Sequence, residues 1–238
     1  MKKYFVYIKT VLFLIVIGIV LGFTARKNSL RKVDGIAVFF SNEDNLFLTS
    51  QMVDNLLIQN GESVRNQQKT SINLQELENL VEAHPMVSSA EVSVGVTGEL
   101  EVEIKQRKPL ARMFNAREVV YLDTKGLEMP LSNNYSARVP IINNTNGLIE
   151  PKEVFPLIQK IDADDFLKKL VVSVQKNNEG FWLSTRLNHQ KVLLGDLNDI
   201  NKKLKKLKVF YTYMEQDSLS STFKKIDLQY NNQVVCSK

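Results

Sequence analysis

The sequence predicts an α+β chain with an N-terminal transmembrane helix, a β-α-α-β-β module, and a second mixed α/β domain whose C-terminal sheet is mainly antiparallel. Three observations predict this architecture. An apolar run lies between Tyr4 and Ala25. A helical pattern followed by two alternating patterns occupies residues 73–112. Further strand patterns, interrupted by helical ones, continue to the end of the sequence.

The apolar run predicts a membrane anchor. Its 22 residues contain one charge, Lys9. As a helix they would cover about 33 Å, against a hydrocarbon core of roughly 30 Å. A cleavable signal peptide is the alternative, but Phe23-Thr24-Ala25 places phenylalanine where a cleavage site needs a small residue. We therefore expect an uncleaved span over about 4–25, with its core at 10–25 and residues 1–9 before it. Basic residues flank both ends, so charge alone does not decide the orientation.

The stretch from Asn73 to Arg112 predicts a helix and a hairpin. Asn73 with Glu76 has the form of a capping box, and Pro85 ends the helix because the residue before a proline is pushed out of the helical region. The apolar positions of the helix are Leu74, Leu77, Leu80 and Val81. Those of the strands are Ala90, Val92, Val94 and Val96 before the turn Thr97-Gly98, and Leu100, Val102 and Ile104 after it. The acidic residues predicted to face outward are Glu99, Glu101 and Glu103.

The residues before this stretch complete the module. Alternating apolar residues from Ile36 to Phe40 predict a first strand, and Thr49 or Ser50 can cap a helix that stops at Asn60-Gly61. The predicted inward residues of that helix are Val53, Leu56 and Leu57. The resulting order is strand, helix, helix, strand, strand.

Two spaced motifs run through the end of the second helix and the last strand of this module. They are His84-Pro85-x-Val87-x-x-Ala90-x-Val92 and Gly98-x-Leu100-x-Val102-x-Ile104-x-Gln106-Arg107-x-Pro109. Together with the order of elements, they resemble the POTRA domain of the FtsQ/DivIB cell-division proteins. On this resemblance we expect a POTRA-like domain at residues 33–109.

A second domain is predicted at residues 113–238. Its strand patterns are Val119–Asp123, Val171–Val174, Trp182–Thr185, Lys191–Leu194, Ile226–Tyr230 and Gln233–Cys236, with the turn Asn231-Asn232 between the last two. Pro151 suits the first position of a helix. The inward residues of that helix are Val154, Leu157, Ile158 and Ile161, and another helix is predicted at Ile200–Met214.

Several segments of this second domain resemble the β-domain of the same family. They are Val192-Leu193-Leu194-Gly195, the lysine-rich helix, and the ending Ile226-Asp227-Leu228-Gln229-Tyr230. The sequence also departs from the family pattern at two positions. Asp196 and Gln229 stand where many family members carry arginine, which puts in doubt any charge pair that uses those arginines.

The net charge of +5 would suit a nucleic-acid or lipid partner. Much of the excess lies beside the apolar run and in the lysine-rich stretch 202–208. On a helix with Ile200, Leu204 and Leu207 inward, these lysines are predicted to form a solvated face. No stacking aromatics are interleaved with them and no nucleic-acid motif is present. The sequence therefore predicts no nucleic-acid partner.

Residues that usually carry catalysis are scarce. His84 at a helix end and His189 in a turn are predicted to be structural, and Cys236 is predicted to be an inert strand residue. Two distant histidines and one cysteine do not assemble a usual zinc site. The sequence has no Gly-x-Ser-x-Gly elbow and no glycine-rich phosphate loop. It therefore predicts no enzyme, no metal, no cofactor and no small-molecule substrate.

The resemblance implies a bitopic inner-membrane scaffold of the bacterial divisome. Its N-terminus would be cytoplasmic and its bulk periplasmic, at the division septum, where it would help control septal peptidoglycan synthesis. The implied partners are FtsB/FtsL-like proteins and other divisome components. Two alternatives stay open, a POTRA-containing outer-membrane assembly or transport factor and a membrane-anchored envelope hydrolase.

The last strands are where the resemblance places the partner. The candidate partner-binding residues are Ile226, Leu228, Gln229, Tyr230 and Val234. A terminal strand can leave an edge of unpaired backbone groups open to a partner strand. Tyrosine is enriched among binding hot spots, and the alternative for Tyr230 is a residue that only packs the sheet.

Overall fold

The computed structural model describes residues 2–29, 31–41, 47–59, 62–95, 97–216, 223–231 and 233–238. The chain divides into two compact units, Met1–Gln106 and Arg107–Lys238. Val96, Asn60-Gly61 and Asn232, to which the sequence analysis assigned a strand position and two turns, lie outside the described residues.

The N-terminal helix α1 spans Lys2–Ser29. Its described apolar side chains from Val11 to Phe23 are exposed. The hydroxyl of Thr24 donates to the carbonyl of Val20, so this polar side chain is satisfied within the helix. Within the part of the chain that the structure describes, no helix has both the length and the apolar character needed to cross a membrane.

In the described residues, the rest of the first unit consists of a three-stranded sheet, a small two-stranded sheet, two short α-helices and a 3-10 helix at Lys69–Ser71. Its elements are β1 (Gly35–Phe40), α2 (Ser50–Leu56), β2 (Ile58–Gln59), β3 (Glu62–Ser63), α3 (Leu74–Glu82), β4 (Val87–Val94) and β5 (Glu99–Gln106). The sheet order is β1-β5-β4, with β5 parallel to β1 and antiparallel to β4. The predicted order of strands and helices is confirmed. Sequence reasoning missed β2 and β3, which pair as a small hairpin.

The two faces of β5 differ as the alternating pattern predicted. Its inward residues Leu100, Val102 and Ile104 are fully buried. Its three glutamates are exposed on the opposite face. In α3, Leu77 and Val81 are buried, but Leu80 is 39% exposed. The predicted apolar face of α3 was therefore too wide, because Leu80 is turned about 100° away from Val81 around the helix.

One edge of this sheet is covered by side chains from α3. The carboxylate of Glu78 accepts a hydrogen bond from the backbone N–H of Val92, at 3.0 Å. Glu82 accepts in the same way from the N–H of Ala90, at 3.1 Å. Strand β4 is the last strand on this side of the sheet, so these N–H groups would otherwise be available to another strand. The edge is closed by carboxylates.

The second unit is built on a sheet with nine strands in the residues that the structure describes. Its elements are β6 (Pro109–Asn115), β7 (Val119–Asp123), β8 (Glu128–Met129), β9 (Ile141–Asn144), α4 (Pro151–Asp162), α5 (Asp165–Leu170), β10 (Val171–Asn177), β11 (Gly180–Thr185), β12 (Lys191–Gly195), α6 (Ile200–Gln216), β13 (Lys225–Asp227) and β14 (Val235–Ser237). The sheet order is β14-β13-β12-β11-β10-β9-β6-β7-β8. Three neighbouring pairs are parallel, namely β12–β13, β9–β10 and β6–β9. The others are antiparallel, so the predicted mainly antiparallel sheet is confirmed.

Helices α4 and α6 both contribute to the hydrophobic core of the second unit. The four predicted inward residues of α4 are buried: Val154, Leu157, Ile158 and Ile161. In α6, Leu204 and Leu207 are buried as predicted, and Tyr211 joins them. This burial fixes one side of α6 against the core and leaves its other side toward solvent.

Candidate functional site

The structure separates the candidate partner-binding residues into two groups. Ile226 and Leu228 are fully buried members of the hydrophobic core. Gln229 is exposed, Tyr230 is 51% exposed, and Val234 is half-buried against the core. The assignment of Ile226 and Leu228 as contact residues is therefore corrected, because a partner cannot reach their side chains in this fold. Gln229, Tyr230 and Val234 keep accessible surface.

The predicted strand Ile226–Tyr230 is shorter in the structure. Strand β13 ends at Asp227, whose side-chain oxygen Oδ1 accepts from the backbone N–H of Gln229 at 2.9 Å. This local turn stops the strand and directs Tyr230 out of the sheet. Strand β13 is also an interior strand, because β12 and β14 pair with its two sides.

Strand β14 forms the edge of the sheet next to β13, and β8 forms the opposite edge. The predicted last strand, Gln233–Cys236, lies at Val235–Ser237. Among the described strands, β14 pairs with β13 alone and ends the sheet order. Val235 is exposed on it. The open edge is therefore one strand further along than the sequence indicated.

A groove of about 710 Å³ lies between α6 and residues 228–231 and 233–234, which precede β14. We call it the C-terminal groove. Its lining includes Lys202, Lys206, Phe210, Gln229 and Val234. It therefore combines apolar side chains with lysines. Three of the five candidate contact residues line it, Leu228, Gln229 and Val234, and Tyr230 does not.

Lysines of α6 hold the walls of the C-terminal groove. The ammonium of Lys206 donates to the carbonyl oxygens of Leu228 at 2.9 Å and Tyr230 at 2.6 Å. Burial lowers the pKa of Lys206, and the nearby charge of Lys203 lowers it further. These two hydrogen bonds tie the segment after β13 to α6, which fixes the backbone from which the Tyr230 ring projects.

Lys203 corrects the prediction of a solvated lysine face. It is 9% exposed, and its ammonium donates to the carbonyl oxygen of Asp196 at 2.9 Å and to its carboxylate at 2.6 Å. The hydrogen bond from Lys203 lowers the pKa of Asp196, and one from Asn198 lowers it further. Asp196 is thus committed to a pair within the unit.

The absence of a side chain at Gly195 allows Gln229 to pack against the backbone at the end of β12. Gly195 has a φ of +70°, a region that side-chain-bearing residues rarely adopt. A Cβ at this position would also lie 2.4 Å from Nε2 of Gln229. Glycine therefore lets the Gln229 side chain lie directly on the backbone at the end of β12.

A buried polar network, which sequence reasoning missed, supports the same region. The hydroxyl of Tyr211 donates to the side-chain oxygen of Gln190 at 2.6 Å, and the Gln190 amide donates to the carbonyl of Phe223 at 3.0 Å. Gln190 is fully buried, and burial raises the pKa of Tyr211. The network joins α6 to the chain just before β13. The signal in the sequence was a glutamine directly before an apolar strand, which the turn assignment of Asn188-His189-Gln190 passed over.

The surroundings of His84, His189 and Cys236 do not resemble those of catalytic residues. The Nδ1 atom of His84 accepts from the backbone N–H of Met86 at 3.2 Å, and burial lowers the pKa of His84. His189 is exposed in a turn, with a φ of +52°. Burial raises the pKa of the Cys236 thiol, which is opposite to the shift that activates a thiolate nucleophile. Among the described residues, no group of three His, Cys, Asp or Glu side chains is placed to hold a metal ion.

These features define a class of two-unit proteins, with a small α+β module followed by a domain that has a strand edge and a groove. Two family models match the chain. A POTRA-like domain matches residues 37–105, and the family described as FtsQ/DivIB, C-terminal related, matches residues 108–237. The chain belongs to this FtsQ/DivIB-related family, so the resemblance derived from the sequence is confirmed.

A curated relative supports the same assignment. The cell division protein FtsQ of Rhodothermus marinus is 28% identical over 169 residues. The matched region covers 65% of this chain and 62% of the relative. The chain therefore matches somewhat less than two thirds of that protein's length.

Proposed function

We propose that this protein is a scaffold of the bacterial cell-division machinery that acts at the septum by binding other proteins and carries out no catalysis. Family membership supports a role in cell division. It also favours the scaffold over an outer-membrane assembly factor or an envelope hydrolase. In this proposal residues 33–109 form the POTRA-like domain and residues 113–238 the β-domain.

The proposal includes a single membrane anchor. Residues 1–9 would be cytoplasmic, the span would cover about 4–25 with its core at 10–25, and the bulk of the chain would be periplasmic. Helix α1 has 28 residues, which correspond to about 42 Å of helix. Its exposed apolar side chains, such as Leu14 and Leu21, would gain free energy in hydrocarbon.

A reporter active only in the periplasm and fused after Lys238 tests this topology. We expect an active reporter and a mature protein that keeps Met1. Detection of a processed N-terminus at Arg26 would contradict the uncleaved anchor, and an inactive reporter would contradict the orientation.

The partners in this proposal are FtsB/FtsL-like proteins, bound at the C-terminal groove and the edge of β14. The observation that carries this step is the exposed Tyr230 ring in the loop that leads from β13 to the edge strand β14. A partner strand added to β14 would gain main-chain hydrogen bonds, and the groove would supply side-chain contacts. Because β14 has only three residues, the groove contacts must contribute a large share of the affinity.

Through these contacts the protein would help control septal peptidoglycan synthesis. Depletion tests the function in cells, because loss of a division scaffold blocks septation and gives filaments. We expect the wild-type chain and Leu131→Ala to restore division, and Tyr230→Ala to restore it poorly. Leu131 is a matched control, since it is an exposed apolar residue just after β8, at the opposite edge of the sheet. Normal septation after depletion would contradict the proposed function.

A further inference from the structure

Helix α6 carries an apolar ridge that the second unit leaves in solvent. Val209 is 61% exposed and Tyr213 is 65% exposed. Residues four apart lie on the same face of a helix, so these two side chains and Lys205 form one row. The row separates the C-terminal groove from a second groove on the other side of α6 and borders both of them.

The second groove, which we call the lateral groove, lies between α6 and the α4–α5 region. Its volume is about 800 Å³. Ala163, Leu167 and Leu204 contribute apolar surface to it, and Thr212 lines it on the side of α6. The segment of α6 from Asn201 to Tyr213 borders it, which corresponds to about 18 Å, or three helical turns.

The rim of the lateral groove is positively charged. Lys160, Lys205 and Lys208 line it, together with one carboxylate, Asp164. Asp164 is occupied, because it pairs with Lys208 and accepts hydrogen bonds from the N–H groups of Phe166 and Leu167 at the start of α5. Lys160 and Lys205 form no ion pair with any residue that the structure describes. The free charge at this groove is therefore cationic.

We propose that the lateral groove is a docking site for an acidic amphipathic helix of a partner protein. The apolar floor and the Val209–Tyr213 ridge would receive its apolar face, and the two unpaired lysines would pair with its carboxylates. A helix fits this groove better than a strand. The walls are helices, whose backbone groups are already bonded internally, so an added strand would find no backbone partner there. This surface is separate from the edge of β14, so it would hold a second partner segment.

A designed peptide tests the proposal directly. The probe is a fluorescently labelled 14-residue helical peptide with leucines on one face and glutamates elsewhere, titrated into the purified full chain in a neutral detergent. Two controls have the same leucines, one with lysine in place of every glutamate and one with a central proline that breaks the helix. We expect the acidic helix to bind at least about tenfold more tightly than either control. Equal binding of the proline peptide or the lysine peptide would overturn the proposal.

Charge reversal then locates the site. Lys160→Glu alters the lateral groove alone, and the exposed Lys202→Glu alters the C-terminal groove alone. We expect Lys160→Glu to weaken binding of the acidic peptide about fivefold and Lys202→Glu to change it less than about twofold. Lys160→Ala repeats the test with a smaller change if the reversal perturbs folding. Equal effects of the two reversals would overturn the assignment.

Two further results separate this site from other surfaces. Tyr213→Ala should weaken the peptide at least about tenfold with unchanged circular dichroism, because the ring is exposed and would be buried by the helix. Vesicles containing phosphatidylglycerol should not displace the peptide. Displacement that depends on Lys160 would identify an anionic lipid surface as the occupant and would contradict the proposal.

Discussion

The two larger sheets that the structure describes differ at one edge of each, β4 in the first unit and β14 in the second. In the first unit, the edge strand β4 has the N–H groups of Ala90 and Val92 bonded to carboxylates of α3. In the second unit, the edge strand β14 pairs with β13 alone among the described strands, and the loop that leads into it carries the exposed Tyr230 and contributes to a groove. An unprotected edge invites pairing with another chain. This difference is one reason why we propose the second unit as the part that binds a partner strand.

The carboxylates that close the β4 edge are held in place by the packing of α3. A substitution that disrupts this packing should have the largest effect on stability. Leu77→Ala should lower the free energy of unfolding by about 2–5 kcal/mol, because it removes a fully buried side chain. Glu101→Ala is the control on the outward face and should change it by no more than about 0.5 kcal/mol. Chemical denaturation of the purified chain measures both values. The reverse ranking would mean that β5 and α3 face the other way.

Opening the closed edge should have a smaller effect on stability and a clear effect on association. The double variant Glu78→Ala/Glu82→Ala removes both acceptors and should lower stability by about 1–2 kcal/mol. It should also increase self-association with concentration, as seen by sedimentation, because the β4 edge becomes available.

The matched control for this variant is Glu78→Gln/Glu82→Gln. Each glutamine keeps a side-chain oxygen that can accept the same backbone hydrogen bond. The self-association of this control variant, measured by sedimentation, should be close to that of the wild type. Equal association of the glutamine and alanine variants would contradict the role of the two carboxylates as edge caps.

The smallest expected effect is a pH dependence at the end of α3. Burial lowers the pKa of His84 in the folded state below its ordinary value of 6.5. The unfolded chain then binds a proton more readily, so the free energy of unfolding falls as the pH is lowered. The stability that comes from the neutral His84 is fully present above pH 6.5. It is lost as the pH falls from 6.5 to the lowered pKa of the folded state.

A variant isolates this histidine from the other titrating groups. In His84→Asn, a side-chain oxygen can take the N–H of Met86 and cannot titrate. The free energy of unfolding should be measured by chemical denaturation at pH 7.5 and pH 5.5. Its decrease between the two pH values should be smaller in this variant than in the wild type. An equal decrease in both proteins would show that His84 does not contribute to the pH dependence of stability.

Much of the fold follows from short-range patterns in the sequence. The inward faces of α4 and β5 were predictable because burial repeats with the period of a helix or of a strand. The C-terminal strands were harder. The apolar alternation continues through Ile226, Leu228 and Tyr230, but the Asp227 side chain ends the strand by bonding the N–H of Gln229.

Sequence alone also could not identify which strand forms the edge or which lysines are buried. The neighbour of β13 is set by the pairing of β14, three residues near the end of the chain. Lys203 looks like its exposed neighbours in the sequence, and it is buried only because Asp196 lies within reach of its ammonium. Both properties depend on contacts between distant segments. The location of the candidate site therefore stays a prediction, and its geometry could not be read from the sequence.

The most direct test of the central claim is calorimetric titration of the full chain with the periplasmic segment of an FtsB-like partner. We expect Tyr230→Ala to lose at least about 2 kcal/mol of binding free energy while its circular dichroism is unchanged, and Leu131→Ala to bind as the wild type does. Unchanged affinity in a folded Tyr230→Ala variant would contradict the claim that the open edge and its groove receive the partner.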